Sequence, residues 1–215
     1  MHLQREVEKV TRKLLALGAL VEENLMRSLR ALHTGDMAAA DVAIAADKEI
    51  DMMEIDVEEE CLKLLALYQP VAVDLRLVVA VLKINNDLER IGDLAKNIAK
   101  RARNLKELPP VTFPDDFLAI GERTVSMLKH SLDAVVNLDA NLAREVITLD
   151  DDVDALNRAV FARIKDELRS APDLTDTCVH LLTVSRNLER VGDHATNIAE
   201  DVIYMVEGTI IRHTK

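Results

Sequence analysis

The sequence predicts an all-α protein of six helices, arranged as two tandem antiparallel three-helix bundles that are related by an internal repeat. Residues 84–99 agree with residues 184–199 at nine of 16 aligned positions, where chance would give about one match. Apolar residues make up 49% of the 215-residue chain, but only 2% of residues are aromatic and Trp is absent. A core of Leu, Val, Ile, Ala and Met is typical of packed helices. Six Gly and five Pro leave room for few turns.

Three helices are predicted in the first half. Apolar residues recur at steps of three and four along the first thirty positions, which predicts a long amphipathic helix: Leu3, Val7, Val10, Leu14, Leu17 and Val21. This helix should end near Gly35, and Asp36 can cap a second helix over about 36–68. After the turn at Pro70, Asp74 is the predicted N-cap of a third helix that reaches about Asn104.

The second half repeats this plan after a proline-rich segment. Leu108–Pro114 holds three of the five prolines and is therefore interpreted as a linker. Further helices are expected over about 115–137, 140–169 and 174–207. The predicted organisation is a first bundle over 1–105, a linker over 106–114 and a second bundle over 115–215.

Pairs of carboxylates four residues apart recur in both halves. The repeated block carries one pair in each copy, Glu89 with Asp93 and Glu189 with Asp193. A second match, at an offset of 103 residues, aligns the pair Asp47 and Asp51 with the pair Asp150 and Asp154. Each pair lies on one helix face, where like charges destabilise a helix by roughly 0.2–0.5 kcal/mol. Counting residues outward from each helical hairpin turn puts the pairs of neighbouring helices at one height. We therefore expect one acidic cluster on the surface of each bundle.

A bound cation would compensate such a cluster. At about 6 Å and an effective dielectric of 20, each like-charged pair repels by up to roughly 3 kcal/mol, and by less where water screens it. Ligands that are all oxygen favour Mg, Mn, Ca or Fe. The alternative is a solvated acidic face on which Arg90 and Arg190 pair with neighbouring carboxylates. Gly92 and Gly192 fit either close helix contact or space for a ligand.

Composition and motifs exclude several function classes. A net charge of −11 disfavours nucleic acid as a partner. Direct insertion into a membrane is not expected, because the sequence has no uninterrupted run of 18 apolar residues. Cys61 and Cys178 lack metal or redox spacing, so we interpret them as reduced core residues of a cytoplasmic protein. Because phosphate-binding glycine loops, nucleophile elbows and Glu-x-x-His motifs are missing, a non-enzymatic role is expected. The alternative is a metal-dependent phosphohydrolase with a surface multinuclear carboxylate site.

Two segments resemble the signature helices of the PhoU family: LERIGDLAKNIA at 88–99 and LERVGDHATNIA at 188–199. The segment PVAVDLR at 70–76 is also similar to that family, and the resemblance covers essentially the whole chain. The second half has no equivalent of Arg76, so any role of this arginine need not be duplicated.

The resemblance implies a cytoplasmic negative regulator of phosphate uptake and of the phosphate-starvation response. It implies multinuclear clusters of divalent or trivalent ions, Fe, Mn, Mg or Zn, on the bundle surface. The implied ligands are Asp47, Asp51, Glu89 and Asp93 in one half and Asp150, Asp154, Glu189 and Asp193 in the other. The implied partners are the ATPase subunit of the phosphate ABC transporter and a membrane sensor histidine kinase. A homodimer is also expected.

Overall fold

Six long α-helices form nearly all of the structure, a computed structural model that describes residues 2–109 and 115–211. The helices are α1 (His2–Thr34), α2 (Met37–Tyr68), α3 (Ala72–Leu105), α4 (Asp115–Asn137), α5 (Ala140–Ser170) and α6 (Thr175–Glu207). A 3₁₀ turn over Pro172–Leu174 joins α5 to α6. No strand occurs within the described ranges. The predicted all-α class is confirmed, with α1–α3 packed together in one half and α4–α6 in the other.

The helix ends follow the local chemistry of the turns. Gly35 adopts a left-handed φ of 68°, and the Asp36 carboxylate then accepts a 3.0 Å hydrogen bond from the backbone N–H of Ala39. The prediction that Asp74 caps α3 is wrong. The helix begins earlier, its N-cap is Val71 without a side-chain hydrogen bond, and Asp74 lies in the first turn. A carboxylate in the first turn still favours the positive end of the helix dipole.

The core consists of aliphatic side chains along one face of each helix. In α1 the residues Val10, Leu14, Leu17 and Val21 are buried, as the periodicity predicts. Cys61 and Cys178 are free and buried, and burial raises the pKa of the Cys61 thiol to about 12. These thiols therefore serve as core residues, as predicted. In the described part of the chain, no helix is apolar over the length that a membrane span requires.

The two halves meet mainly through α3 and α6, and polar side chains bridge them. Lys83 Nζ lies 3.2 Å from Oδ1 of Asp201, whose side chain is only 2% exposed. His194 Nδ1 donates to Asp87 Oδ1 over 2.7 Å, so His194 is part of this contact. The division of the chain at 106–114 stays a prediction, because residues 110–114 lie outside the described residues.

Candidate metal centres

In the first half, Lys96 connects carboxylates of two helices. Its Nζ donates to Asp47 Oδ2 of α2 at 2.7 Å and to Asp93 Oδ1 of α3 at 2.9 Å. Asp47 and Asp93 therefore lie at one height on adjacent helices. Burial lowers the pKa of Lys96, but the hydrogen bonds that Lys96 donates to Asp47 and Asp93, together with their charges, outweigh it and hold the pKa above its usual value. Lys96 acts as a built-in cation between these two carboxylates.

Arg90 adds a second positive charge to this cluster. Its guanidinium lies 3.3 Å from Glu89 Oε2 and 3.9 Å from Asp93 Oδ2. Burial raises the pKa of Glu89, Arg90 lowers it, and the charges of Asp93, Asp51 and Asp47 raise it further. In this half the structure thus contains the arginine–carboxylate pairing that a solvated acidic face would show.

Glu54 belongs to the first cluster, although the sequence analysis did not select it. The Asn85 side-chain amide donates to Glu54 Oε1 at 3.1 Å and to the Glu54 carbonyl oxygen at 3.0 Å. The pKa of Glu54 is raised by burial first, and then by the charges of Glu58, Glu89 and Asp51. A signal was present, because acidic residues follow one helix face at steps of four, three and four: Asp47, Asp51, Glu54 and Glu58.

In the second half, four carboxylates also interact, but Thr196 stands where the first half has Lys96. The pKa of Glu189 is raised by burial and by the charges of Asp193, Asp154 and Asp150, against the opposing effect of Arg186. Loss of hydration raises the pKa of Asp193 as well, together with the charge of Asp154.

One ion pair and one unsatisfied hydroxyl adjoin the second cluster. Arg158 NH1 lies 3.8 Å from Asp154 Oδ2 on the same helix, whereas the buried Thr196 hydroxyl makes no hydrogen bond to any described residue. At the position of Lys96, the second cluster therefore has a hydroxyl in place of an ammonium.

The two clusters differ in how well they fit a metal ion. All candidate donors are carboxylate oxygens, which suit hard cations. In the ranges described, no three acidic, His or Cys side chains converge on a single point closely enough to enclose an ion. Binding of a metal ion would therefore require side-chain rotation in both halves. In the first half, the ion would in addition have to displace the ammonium of Lys96. At the aligned position of the second half, Thr196 presents no ammonium to displace.

The two repeated glycines have different surroundings. A Cβ on Gly92 would lie 3.0 Å from Ile50 Cγ2, so this glycine permits close contact between α3 and α2. A Cβ on Gly192 would lie 3.4 Å from Val153 Cγ1 and 3.8 Å from Asp150 Oδ1, which are ordinary contacts. The close-contact interpretation therefore applies to Gly92, whereas Gly192 lies directly beside a candidate ligand.

Arg76, which has no equivalent in the second half, lies at the end of α6. Its guanidinium packs against Gly208, the residue with a left-handed φ of 73° that ends α6. A Cβ at Gly208 would lie only 3.1 Å from Arg76 NH1. A cation at a helix C-terminus interacts favourably with the helix dipole. Arg76 thus joins α3 to the end of α6, a contact that involves both halves and has no duplicate.

By its fold and its candidate site, this protein is a tandem-repeat helical protein: it consists of two three-helix bundles, each of which carries an acidic cluster. The PhoU domain model matches this chain twice, over residues 14–102 and 117–202. The chain belongs to the PhoU family.

Relatives and solved structures agree with this assignment. The chain is 37% identical over 204 residues to a phosphate-specific transport system accessory protein PhoU homolog of Caulobacter vibrioides, which covers 94% of this chain and 89% of that one. The crystal structure of PhoU from Pseudomonas aeruginosa has a TM-score of 0.92 at 38% identity, with coverage of 96% and 99%. The crystal structure of the phosphate transport system regulatory protein PhoU from Streptococcus pneumoniae has a TM-score of 0.88 at 28% identity, with coverage of 97% and 98%.

Proposed function

We propose that this protein is a metal-binding cytoplasmic regulator that represses phosphate uptake and the phosphate-starvation response when phosphate is plentiful. The observation that supports a regulatory role is the PhoU domain matched in both halves, over residues 14–102 and 117–202. The relatives named above are accessory or regulatory proteins of phosphate transport. The proposed partners are the ATPase subunit of the phosphate ABC transporter and a membrane sensor histidine kinase, each reached by protein–protein contact.

The proposed metal ligands are the carboxylates of the two clusters. They are Asp150, Asp154, Glu189 and Asp193 in the second half and Asp47, Asp51, Glu89 and Asp93 in the first. A bound Fe, Mn, Mg or Zn ion would supply positive charge that joins two helices at the bundle surface. Support comes from the grouping of these carboxylates on two adjacent helices, where burial and the charges of the neighbouring acids raise the pKa values of Glu189 and Asp193.

The regulatory part of the proposal is tested by deleting the gene and measuring phosphate uptake in phosphate-replete medium. Uptake should rise in the deletion strain and return to the original rate when the wild-type gene is restored. Unchanged uptake in the deletion strain would overturn the regulatory role. Light scattering of the purified protein, with a dimer expected, tests the oligomeric state.

The metal part is tested on purified protein by elemental analysis. The variant Glu189→Gln/Asp193→Asn should lose bound metal, because it removes two of the four oxyanions of the cluster that has Thr196 in place of Lys96. The variant Glu89→Gln/Asp93→Asn is the matched control in the other half and should lose less. Equal metal content in wild type and both variants would overturn the assignment of these ligands.

A further inference from the structure

A groove beside the second cluster combines an apolar wall with two arginines. It lies between α5 and α6, has a volume of about 320 Å³, and is lined by Phe161, Val179, Leu182, Arg186 and Arg190 among others. Phe161 is 44% exposed and Val179 is 51% exposed, so large apolar side chains face solvent here. We propose that this groove binds an acidic segment of another protein, with the carboxylates of the segment on Arg186 and Arg190 and an apolar side chain against Phe161.

The two arginines carry the electrostatic part of the inference. Arg186 and Arg190 are exposed and lie four residues apart on α6. The charge of Arg186 acts on Glu189 and Asp193 and that of Arg190 acts on Asp193, but no carboxylate of the described residues hydrogen-bonds to either guanidinium. Adjacent like charges on a helix are unfavourable, so an anionic occupant would stabilise them. Guanidinium groups bind carboxylates through two parallel hydrogen bonds, which gives both attraction and orientation.

Two of the residues that line this groove differ in chemistry from the aligned residues of the first half. Phe161 aligns with Glu58 at the offset of 103 residues, and Arg186 aligns with Asn86 at the offset of 100 residues. Arg190 aligns with Arg90, but Arg90 forms ion pairs with Glu89 and Asp93. The second half thus has an aromatic ring in place of a carboxylate and a guanidinium in place of an amide.

The chemistry of the walls selects the occupant. A small inorganic anion would satisfy the arginines but would leave Phe161 and Val179 exposed to water. Nucleic acid is disfavoured because its continuous phosphate backbone would have to pass the carboxylates of the second cluster, whereas a short peptide can place one or two carboxylates on the arginines alone. A peptide with Asp or Glu beside a large apolar residue covers both parts of the groove, and Arg and aromatic residues are common anchors of protein interfaces.

This inference rests on the proposed function only in that it describes the chemistry of one protein partner of the regulator. None of the residues that line the groove is a proposed metal ligand. Because the charge of Arg186 acts on Glu189 and Asp193, the metal content of the groove variant is measured beside its peptide binding.

The test uses the full chain and a library of random 12-residue peptides displayed on phage. Peptides are selected on the wild-type protein and counter-selected on Phe161→Glu/Arg186→Asn, which installs the residues that the first half carries at the aligned positions. Arg169→Glu is the control variant, because it makes the same change of two charge units at the exposed end of α5. Thermal unfolding of each variant checks that the fold is retained.

We expect wild-type-selective peptides with Asp or Glu flanking Phe, Leu or Ile. A synthetic copy should bind the groove variant at least about tenfold more weakly than wild type, and the control variant should bind within about twofold of wild type. The proposal is overturned if no wild-type-selective peptide emerges, if the selected peptides lack acidic residues, or if the groove variant binds equally well. It is also overturned if the groove variant dissociates an oligomer of this chain, since a second copy would then fill the groove.

The phosphate-uptake assay separates failure of this inference from failure of the proposed function. Altered uptake in the deletion strain without selective peptides would refute the groove alone. Selective acidic peptides with unchanged uptake in the deletion strain would refute the regulatory role and support the groove as a peptide site.

Discussion

One residue position distinguishes the electrostatics of the two acidic clusters. Lys96 places its ammonium 2.7 Å from Asp47 and 2.9 Å from Asp93, whereas the aligned residue of the second half is Thr196. A metal ion that enters the first cluster must displace a cation that is already hydrogen-bonded to two of its ligands. The second cluster has no such competitor from this helix position, which makes the two sites unequal.

Exchanging these two residues should therefore exchange the metal preference of the two halves. Lys96→Thr should strengthen metal binding in the first half by about tenfold or more, because the metal no longer has to displace an ammonium that is hydrogen-bonded to two carboxylates. Thr196→Lys should weaken binding in the second half, because its ammonium can occupy the place of the metal. Titration with Mn²⁺ followed by calorimetry measures both affinities. Equal affinities in wild type and both variants would show that residue 96 does not control access.

Protonation of the second cluster gives a pH-dependent stability of the metal-free protein. The pKa values of Glu189 and Asp193 are raised above their usual values of 4.5 and 3.8. A carboxyl group with a raised pKa favours the folded state when it is protonated, and this contribution is lost as the pH rises through the raised pKa. Ionisation of these groups therefore opposes folding at neutral pH.

Replacing one of these acids by its amide should relieve this repulsion. In a chelator at pH 7, Glu189→Gln should raise the free energy of unfolding by a few tenths to about 1 kcal/mol. The gain should disappear near pH 4, where the wild-type carboxyl becomes neutral, and Arg169→Gln serves as an exposed control. Denaturant unfolding at both pH values measures the effect. A lower stability of Glu189→Gln at pH 7 would contradict the repulsion.

At the scale of the helix, the two repeated glycines should respond differently to the same substitution. In Gly92→Ala the new Cβ would press on Ile50 of α2 at 3.0 Å, which should separate the helices and destabilise the protein by about 1–3 kcal/mol. In Gly192→Ala the nearest atom is Val153 Cγ1 at 3.4 Å, so better helix propensity should dominate, with a gain of about 0.5–1 kcal/mol. Thermal unfolding of both variants in chelator checks the difference in sign.

Helix boundaries could be predicted closely from the sequence because they depend on local chemistry. Gly35 and Asp36 end α1 and cap α2 through backbone conformation and a side-chain oxygen near in sequence. The N-cap of α3 was misplaced, because the chain turns at Val71 without a side-chain cap. Periodicity also identified the acidic pairs, since residues four apart share a helix face whatever the tertiary packing.

The contents of the candidate site depended on tertiary contacts and were harder to predict. Lys96 stands in the repeated block at a position where the two copies differ, but its hydrogen bond to Asp47 joins two helices. The spacing within α2 places Glu54 on the acidic face, but its hydrogen bond from Asn85 of the neighbouring helix could not be inferred from that spacing. The groove at Phe161 likewise combines two helices, and only the comparison of aligned positions in the two halves would have suggested it.

At the scale of the whole molecule, the polar contacts between α3 and α6 make the two halves depend on each other. Besides the His194–Asp87 pair, Arg101 NH1 lies 3.2 Å from His180 Nδ1 across the same contact. Extensive packing between the halves, reinforced by specific polar pairs, favours a single cooperative unfolding transition over independent unfolding of each bundle. The pair Lys83–Asp201 offers the sharpest test, because Asp201 is buried in one half and Lys83 belongs to the other.

Lys83→Met should destabilise both halves together. It removes the ammonium 3.2 Å from Asp201 Oδ1, and loss of an ionised partner from a buried carboxylate costs about 1–3 kcal/mol when water reaches the site from one side. For a chain of this size the melting temperature should fall by about 2–4 °C per kcal/mol. Lys100→Met, at an exposed position of the same helix, should change little. Calorimetry should show one transition that moves as a unit. Two transitions, of which Lys83→Met shifts only one, would show that the bundles unfold independently and that these polar pairs do not couple them.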